Sequence, residues 1–90
     1  MYSYVFNAAG KKGLRRLDKQ FQRQVLDDIE EICKLRHPKD SQNVKKLEGG
    51  HDADTYRLRS GDYRVVFRID TSLLRIVSVF NKQAGKRGYK

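Results

Sequence analysis

The chain has 90 residues, long enough for one domain (residues 1–90) and too short for two, since domains usually run to roughly 100 residues or more. Its 20 Lys and Arg residues outnumber 11 Asp and Glu residues, giving a formal net charge of +9 and a pI near 9.9. That excess indicates an anionic partner. The sequence has no apolar run near the roughly 18 residues of a membrane-spanning helix, and residues 1–14 do not resemble a signal peptide. We therefore expect a cytoplasmic protein with no membrane partner.

Cysteine and histidine are too few for a structural zinc site. Cys33 is the one cysteine, which excludes an internal disulfide and agrees with a reducing compartment. The histidines, His37 and His51, are isolated from each other in the sequence, so the soft ligands of a zinc site are missing. We expect no metal.

The first half of the chain predicts a strand followed by two helices. Residues 2–7 alternate in the period-2 pattern of a strand, and residues 8–17 have a helical composition that Gly10 and Gly13 weaken. A second helix begins after Asp18 and ends near Arg36, because Pro38 disfavours helical geometry at the preceding residue. Its apolar stripe comprises Phe21, Val25, Ile29, Ile32 and Cys33.

The second half predicts three strands. Residues 38–54 are polar and rich in turn formers, which predicts a surface connection. Residues 55–59 and 63–69 alternate around a Ser-Gly-Asp turn, and residues 73–80 form a last apolar strand. The fold class is therefore α+β: an N-terminal strand, a helical hairpin, then a three-stranded antiparallel meander completing one sheet, with the helices packed on one face.

Strand alternation places four arginines on the face of the sheet away from the helices. If the aromatic and aliphatic residues of the second and third strands face the helices, then Arg57, Arg59, Arg64 and Arg68 share the other face. The planar guanidinium fork fits phosphate oxygens, so this patch indicates a phosphate-binding surface. The alternative is a solvated strand face, which also needs polar side chains.

Several segments, in order, resemble the RelE/ParE toxin superfamily. Residues 56–67 read YRLRSGDYRVVF, and residues 86–90 read KRGYK. Upstream lie YSYVF, a helix with GLRRLDKQFQRQVLDDIEEI, and KKLEGG. The resemblance covers nearly the whole chain and, by its C-terminal R-x-Y ending, is closest to archaeal-like RelE mRNA interferases.

The resemblance implies a toxin encoded beside an antitoxin that is its cognate partner. RelE-like members enter the ribosomal A site and cut mRNA there, so the implied partners are the ribosome and mRNA, with no small-molecule cofactor. ParE-like members poison DNA gyrase without catalysis of their own, and a catalytically inactive RNA-binding relative is a third possibility. One set of basic and aromatic residues favours the endoribonuclease, since a poison that only binds protein has no chemical need for it. This set comprises Arg57, Arg59, Arg64, Arg87 and Tyr89.

The resemblance also matches individual residues to family positions. Arg64 matches the arginine of the G-D/x-Y-R element, Arg57 and Arg59 match the basic pair in the strand before the turn, and Arg87 and Tyr89 match the C-terminal R-x-Y ending. These five are the expected catalytic residues. From the chemistry of the guanidinium, Arg64 is expected to stabilise transition-state charge, and Arg57 and Arg59 to hold the flanking phosphates. The expected RNA-binding residues are Arg68, Lys82 and Lys86.

One position departs from the family pattern, and the base that accepts a proton stays open. Bacterial RelE-like relatives carry a basic residue soon after the last strand and a tyrosine several residues later. Lys82 takes the first place here, with a different spacing to Tyr89. Arginine is a poor general base because it stays protonated, so the candidates are Tyr89, a lysine with a depressed pKa such as Lys82 or Lys86, and a ribosomal or substrate group.

The other reactive residue types have simpler interpretations. Cys33 lies on the apolar stripe and is expected to be a buried, inert thiol. His51 is expected to be a solvated loop residue and His37 a helix-end residue. The acidic residues of the second helix, Asp27, Asp28, Glu30 and Glu31, lie off the stripe and are not expected to be catalytic.

Overall fold

The computed structural model describes residues 1–48 and 54–83. These residues form a five-stranded sheet in the order β1-β5-β4-β3-β2, with two helices on one of its faces. The elements are β1 (Ser3–Phe6), α1 (Ala8–Arg15), α2 (Lys19–Cys33), β2 (Val44–Lys46), β3 (Thr55–Ser60), β4 (Tyr63–Asp70) and β5 (Leu73–Asn81). The α+β architecture predicted from the sequence is confirmed. Neither described helix is both long and apolar enough to cross a membrane.

The sheet is mostly antiparallel. β3, β4 and β5 form the predicted antiparallel meander, and β1 joins its far edge by pairing parallel to β5. The β4–β5 ladder has one irregularity beside Val66 and Phe67, where β5 contains an extra residue. The irregularity leaves the alternation of β4 unbroken, so Arg64 and Arg68 keep to one face.

The prediction of a simple surface connection over residues 38–54 was wrong in part. A 3₁₀ turn covers Pro38–Asp40, and β2 pairs antiparallel with β3 at the edge of the sheet. The main-chain N–H of Arg59 also donates to the carbonyl of Asn43 at 2.8 Å. A strand of three residues is too short to show a period-2 pattern, which is why the sequence did not reveal it.

The apolar stripe of α2 forms the core with the helix-facing side of the sheet. Val25, Ile29, Ile32 and Cys33 are buried, as predicted, and Phe21 is half-buried at the start of the stripe. The sheet side chains of the core are Tyr56, Leu58, Val65, Phe67, Leu74, Ile76 and Val79. α2 ends at Cys33, three residues before the predicted end, and His37 caps the 3₁₀ turn by accepting a hydrogen bond from the main chain of Lys39.

The two glycines of α1 have a packing role that the sequence did not reveal. A Cβ at Gly10 would collide with the carbonyl of Ile76, and a Cβ at Gly13 would collide with the carbonyl of Val79. These glycines lie three residues apart and so face the same strand. Their missing side chains allow α1 to lie directly on the backbone of β5.

Candidate functional site

Alternation along β3 and β4 gathers arginines on the face of the sheet that the helices leave uncovered. Tyr56 and Leu58 are buried in the core, so Arg57 and Arg59 point to the opposite side. Across the β3–β4 ladder, Arg59 is paired with Arg64. Arg57 lies two rungs further along, opposite Val66, so three of the predicted residues share one face of the hairpin.

These arginines line a small polar cleft of about 190 Å³. Its described walls are Gln42, Asn43, Lys45, Arg57, Arg59, Arg64 and Lys82. Lys82 enters from the end of β5, where its main-chain N–H donates to the carbonyl of Asp62 at 2.9 Å. Five of the seven lining side chains are basic and none of these seven is acidic, so the cleft suits an anionic ligand.

Other predicted site residues lie elsewhere or outside the described part of the chain. Arg68 stands opposite Arg75 and Thr55 in the sheet and does not line the cleft. Lys86, Arg87 and Tyr89 fall outside the described residues, as does His51. Their predicted roles therefore remain predictions.

Sequence reasoning missed three residues of the cleft. Gln42 and Asn43 precede β2, and Lys45 lies on it opposite Arg57. The segment KKLEGG, which resembles the family, begins at Lys45. This resemblance was the one sequence signal that pointed to Lys45. Because β2 was not predicted, nothing in the sequence placed these residues beside the arginines.

Arg64 is the most constrained of the basic residues. It is only 8% exposed, and its Nη1 donates to the carbonyls of Gly61 and Tyr63, both at 2.9 Å. A guanidinium has five N–H donors, so the donors on Nε and Nη2 are left without a partner among the described residues. No described side-chain nitrogen is both fully buried and unbonded, so these donors reach solvent where Arg64 lines the cleft.

The electrostatic environment of Arg64 opposes its positive charge. Burial lowers the pKa of Arg64, and the neighbouring charges of Arg57 and Arg59 lower it further, while Asp62 acts in the opposite direction. Within residues 1–48 and 54–83, no salt bridge joins Arg57, Arg59 or Arg64 to a carboxylate. An anion bound in the cleft would relieve this repulsion.

The remaining residues of the site hold the cations in place or extend the surface. Arg59 Nη2 donates to the Asn43 side-chain oxygen at 2.9 Å, which restrains one end of the arginine pair. Phe80 stands opposite Arg64 in the β4–β5 ladder and is 39% exposed. The described site is therefore a cationic cleft with an aromatic side chain beside it.

The reactive residue types outside this cleft take structural positions. Cys33 is buried, and burial raises the pKa of its thiol, with the charge of Glu30 adding to the effect. Asp27, Glu30 and Glu31 are exposed on α2, on the helix side of the sheet. Asp28 is half-buried and accepts a hydrogen bond from Ser60.

A family model described as the ParE toxin of type II toxin–antitoxin systems matches residues 4–84. Curated protein sequences give no match to this chain. Among solved structures, the archaeal RelE–RelB complex from Pyrococcus horikoshii contains a chain that is 29% identical, with 90% of this chain and 94% of that chain covered and a TM-score of 0.71. The Escherichia coli RelBE complex gives 27% identity, 90% and 96% coverage, and a TM-score of 0.67. The RelBE2 complex from Mycobacterium tuberculosis, at 22% identity, covers 89% and 96% with a TM-score of 0.72 and shares the fold.

Proposed function

The chain belongs to the ParE toxin family of type II toxin–antitoxin systems, within the RelE/ParE superfamily, and from that premise we propose that it is a ribosome-dependent endoribonuclease. In this proposal it cuts mRNA in the ribosomal A site. The observation that carries the proposal is the cleft in which Arg57, Arg59, Arg64, Lys45 and Lys82 converge without a carboxylate among the described lining residues. A surface that only binds protein has no chemical need for such a site.

The cleavage step uses the RNA's own nucleophile. The 2′-oxygen attacks the adjacent phosphorus as its proton leaves, the bond from phosphorus to the 5′-oxygen breaks, and that oxygen takes up a proton. The products are a 2′,3′-cyclic phosphate and a 5′-hydroxyl end. The protein has to orient the chain and stabilise the extra negative charge on phosphorus. The proposed mechanism needs no metal or other cofactor, because arginines supply that stabilisation.

The geometry suggests how the roles divide. Arg64 is held by two carbonyls and has donors facing the cleft, so it would bind the phosphorane oxygens without reorganisation. Arg57 and Arg59 would hold the neighbouring phosphates, and Phe80 offers a ring on which a base can stack. The proton acceptor would be Tyr89, the neutral amine of Lys82 or Lys86, or a ribosomal or substrate group; Lys86, Arg87 and Tyr89 lie outside the described residues. Arg87 would join the catalytic residues, and Arg68 would extend RNA binding.

An antitoxin would be the physiological inhibitor. The structures from Pyrococcus horikoshii and Escherichia coli are both complexes of a RelE protein with a RelB protein. We propose a cognate antitoxin for this chain on that basis. The proposed target of the toxin is the translating ribosome, which would place the toxin in the cytoplasm.

A second candidate function is non-enzymatic inhibition of DNA gyrase. The match of residues 4–84 to a ParE toxin model favours it. The two functions differ in their products: a cut mRNA in one case and gyrase trapped on DNA in the other. A single set of assays with the purified protein therefore distinguishes them.

Single-turnover cutting of an mRNA programmed into 70S ribosomes tests the endoribonuclease. We expect cutting in the A-site codon with a 2′,3′-cyclic phosphate product. Arg64→Ala should slow the cut by about 100-fold or more, the usual scale for losing a donor that acts in the transition state. Ribosome affinity should hardly change, because the other basic residues share the binding.

Two further variants sharpen this test. Arg64→Lys keeps the charge and loses the planar fork, so a strong defect indicates bidentate phosphate contact. Arg75→Ala removes an arginine from the same sheet face outside the cleft and should cut at the wild-type rate. If Arg64→Ala also cuts at the wild-type rate, its catalytic role is wrong. If the wild-type protein cuts nothing and traps gyrase on DNA, the second candidate replaces the first.

A further inference from the structure

A partly buried hydrogen-bond network connects α2 with the turn between β3 and β4. The Ser60 hydroxyl donates to Asp28 Oδ2 at 2.6 Å. Gln24 Nε2 donates to the carbonyl of Ser60 at 3.0 Å and to its hydroxyl oxygen at 3.4 Å. Ser60 is fully buried, so its hydroxyl depends on these two helix residues for its hydrogen bonds.

The same face of α2 holds the other end of the turn. Phe21, Gln24 and Asp28 are spaced by three and four residues, which puts them on one side of the helix. The ring of Phe21 contacts the ring of Tyr63, with 5.3 Å between the centroids. α2 therefore contacts both Ser60 and Tyr63, the residues on either side of the turn.

That turn provides the acceptors that orient Arg64. The carbonyls of Gly61 and Tyr63 both bind Arg64 Nη1. Gly61 has φ +58°, which favours glycine, and a Cβ there would lie 2.6 Å from Gln24 Nε2. The amide of Gln24 thus lies against the backbone whose carbonyl holds the guanidinium.

We propose that Asp28 and Gln24 are positioning residues for Arg64, acting across the sheet through Ser60 and the turn. They sit on the helix side, and Arg64 lines the cleft on the other side. When the turn is fixed by α2, its two carbonyls hold the guanidinium in a single orientation before any ligand binds. The consequence for cleavage rests on the proposed function, whereas the restraint on Arg64 does not.

A double-mutant cycle tests the consequence for cleavage. Asp28→Ala should lower the single-turnover rate by about 10- to 100-fold, the scale for displacing a reacting group, while the ribosome concentration for half-saturation stays unchanged. Asp28→Asn keeps an oxygen acceptor for Ser60 and should restore most of the rate. In an Arg64→Ala background, Asp28→Ala should have no further effect, since a residue that acts through Arg64 has nothing left to position.

The matched control is Asp27→Ala, which removes the same charge from the exposed neighbour and should cut at the wild-type rate. Equal losses from Asp28→Ala with and without Arg64 would overturn the proposal, because the effect would then be general to the fold. So would an Asp28→Asn protein as slow as Asp28→Ala, since the hydrogen bond would not be its cause.

A second measurement is independent of activity. ¹⁵N relaxation of the Arg64 Nε–H in the free protein should show an ordered guanidinium in wild type and in Asp27→Ala. It should show a mobile one in Asp28→Ala and in Gln24→Ala. An equally ordered Arg64 in all four proteins would overturn the positioning role. Absence of cleavage by the wild-type protein, with the predicted change in order, would refute the proposed function and leave the positioning role supported.

Discussion

Arg64 shows how a single residue can combine burial with an unfavourable charge environment. Its guanidinium is nearly buried beside Arg57 and Arg59, so it loses hydration and is repelled by like charges, and both effects lower its pKa. Two main-chain carbonyls accept hydrogen bonds from it. An anion bound in the cleft would add the counter-charge that the described lining residues lack.

Cys33 provides a test of burial at the residue scale. The pKa of its thiol is raised above the ordinary value of 9.0 by burial and by the charge of Glu30. The neutral thiol therefore stabilises the fold below about pH 9, and this contribution is lost as the pH rises through the raised pKa. We expect the difference in unfolding free energy between wild type and Cys33→Ala to shrink between pH 7.5 and pH 10.

Urea unfolding at several pH values measures that difference directly. Tyr4 also has a raised pKa, because of burial, its hydrogen bond to Glu30 and the charges of Glu30 and Cys33. Cys33→Ala removes only the last and smallest of these causes, so the larger ones act in both proteins and cancel in the comparison. A difference that stays constant across this range would contradict the assignment.

At the scale of elements, α1 is defined by how closely it approaches β5. From sequence, Gly10 and Gly13 predict only a weak helix, because glycine lowers helix propensity. In the fold, both glycines face the backbone of β5, where a side chain would collide with a carbonyl. Helix propensity predicts that replacing either glycine by alanine stabilises the fold, whereas packing predicts that the same replacement destabilises it.

Gly13→Ala decides between these two effects. Because the new Cβ would collide with the main chain of Val79, we expect destabilisation of about 1–3 kcal/mol, the range for overpacking. Urea unfolding measures it, with Lys12→Ala at an exposed position of the same helix as the control. Stabilisation of about 1 kcal/mol, the gain from helix propensity alone, would show that α1 shifts freely on the sheet.

The difference between local sequence pattern and tertiary packing also explains how far the sequence predicts the fold and the site. Long periodic segments were recognised: the stripe of α2 and the alternation of β3 and β4 place the core and Arg57, Arg59 and Arg64 correctly. β2 has too few residues to be periodic, so Lys45 was not recognised as part of the cleft. The network through Ser60 joins positions 32 and 36 residues apart, which no local pattern reports.

At the scale of the whole molecule, the two sides of the sheet differ in how far their charges are mixed. The cleft side gathers five basic residues without a carboxylate among the described walls. The helix side exposes acidic residues of α2, among them Asp27 and Glu30, together with basic residues such as Lys12, Arg16 and Arg23. A partner that covers the cleft should therefore be acidic where it touches, and its association should depend on ionic strength.

Salt dependence of antitoxin binding tests that distribution. If an acidic helix or extended segment of the antitoxin covers the cleft, the dissociation constant should rise by about tenfold or more between 50 and 500 mM salt, because screening weakens the attraction. Lys45→Gln should weaken binding at low salt and flatten the slope, since Lys45 lines the cleft. Lys39→Gln removes the same charge from the exposed 3₁₀ turn and should change neither. Equal effects of the two variants would place the antitoxin on another surface, such as the helical pair, and a dissociation constant insensitive to salt would refute an electrostatic mask.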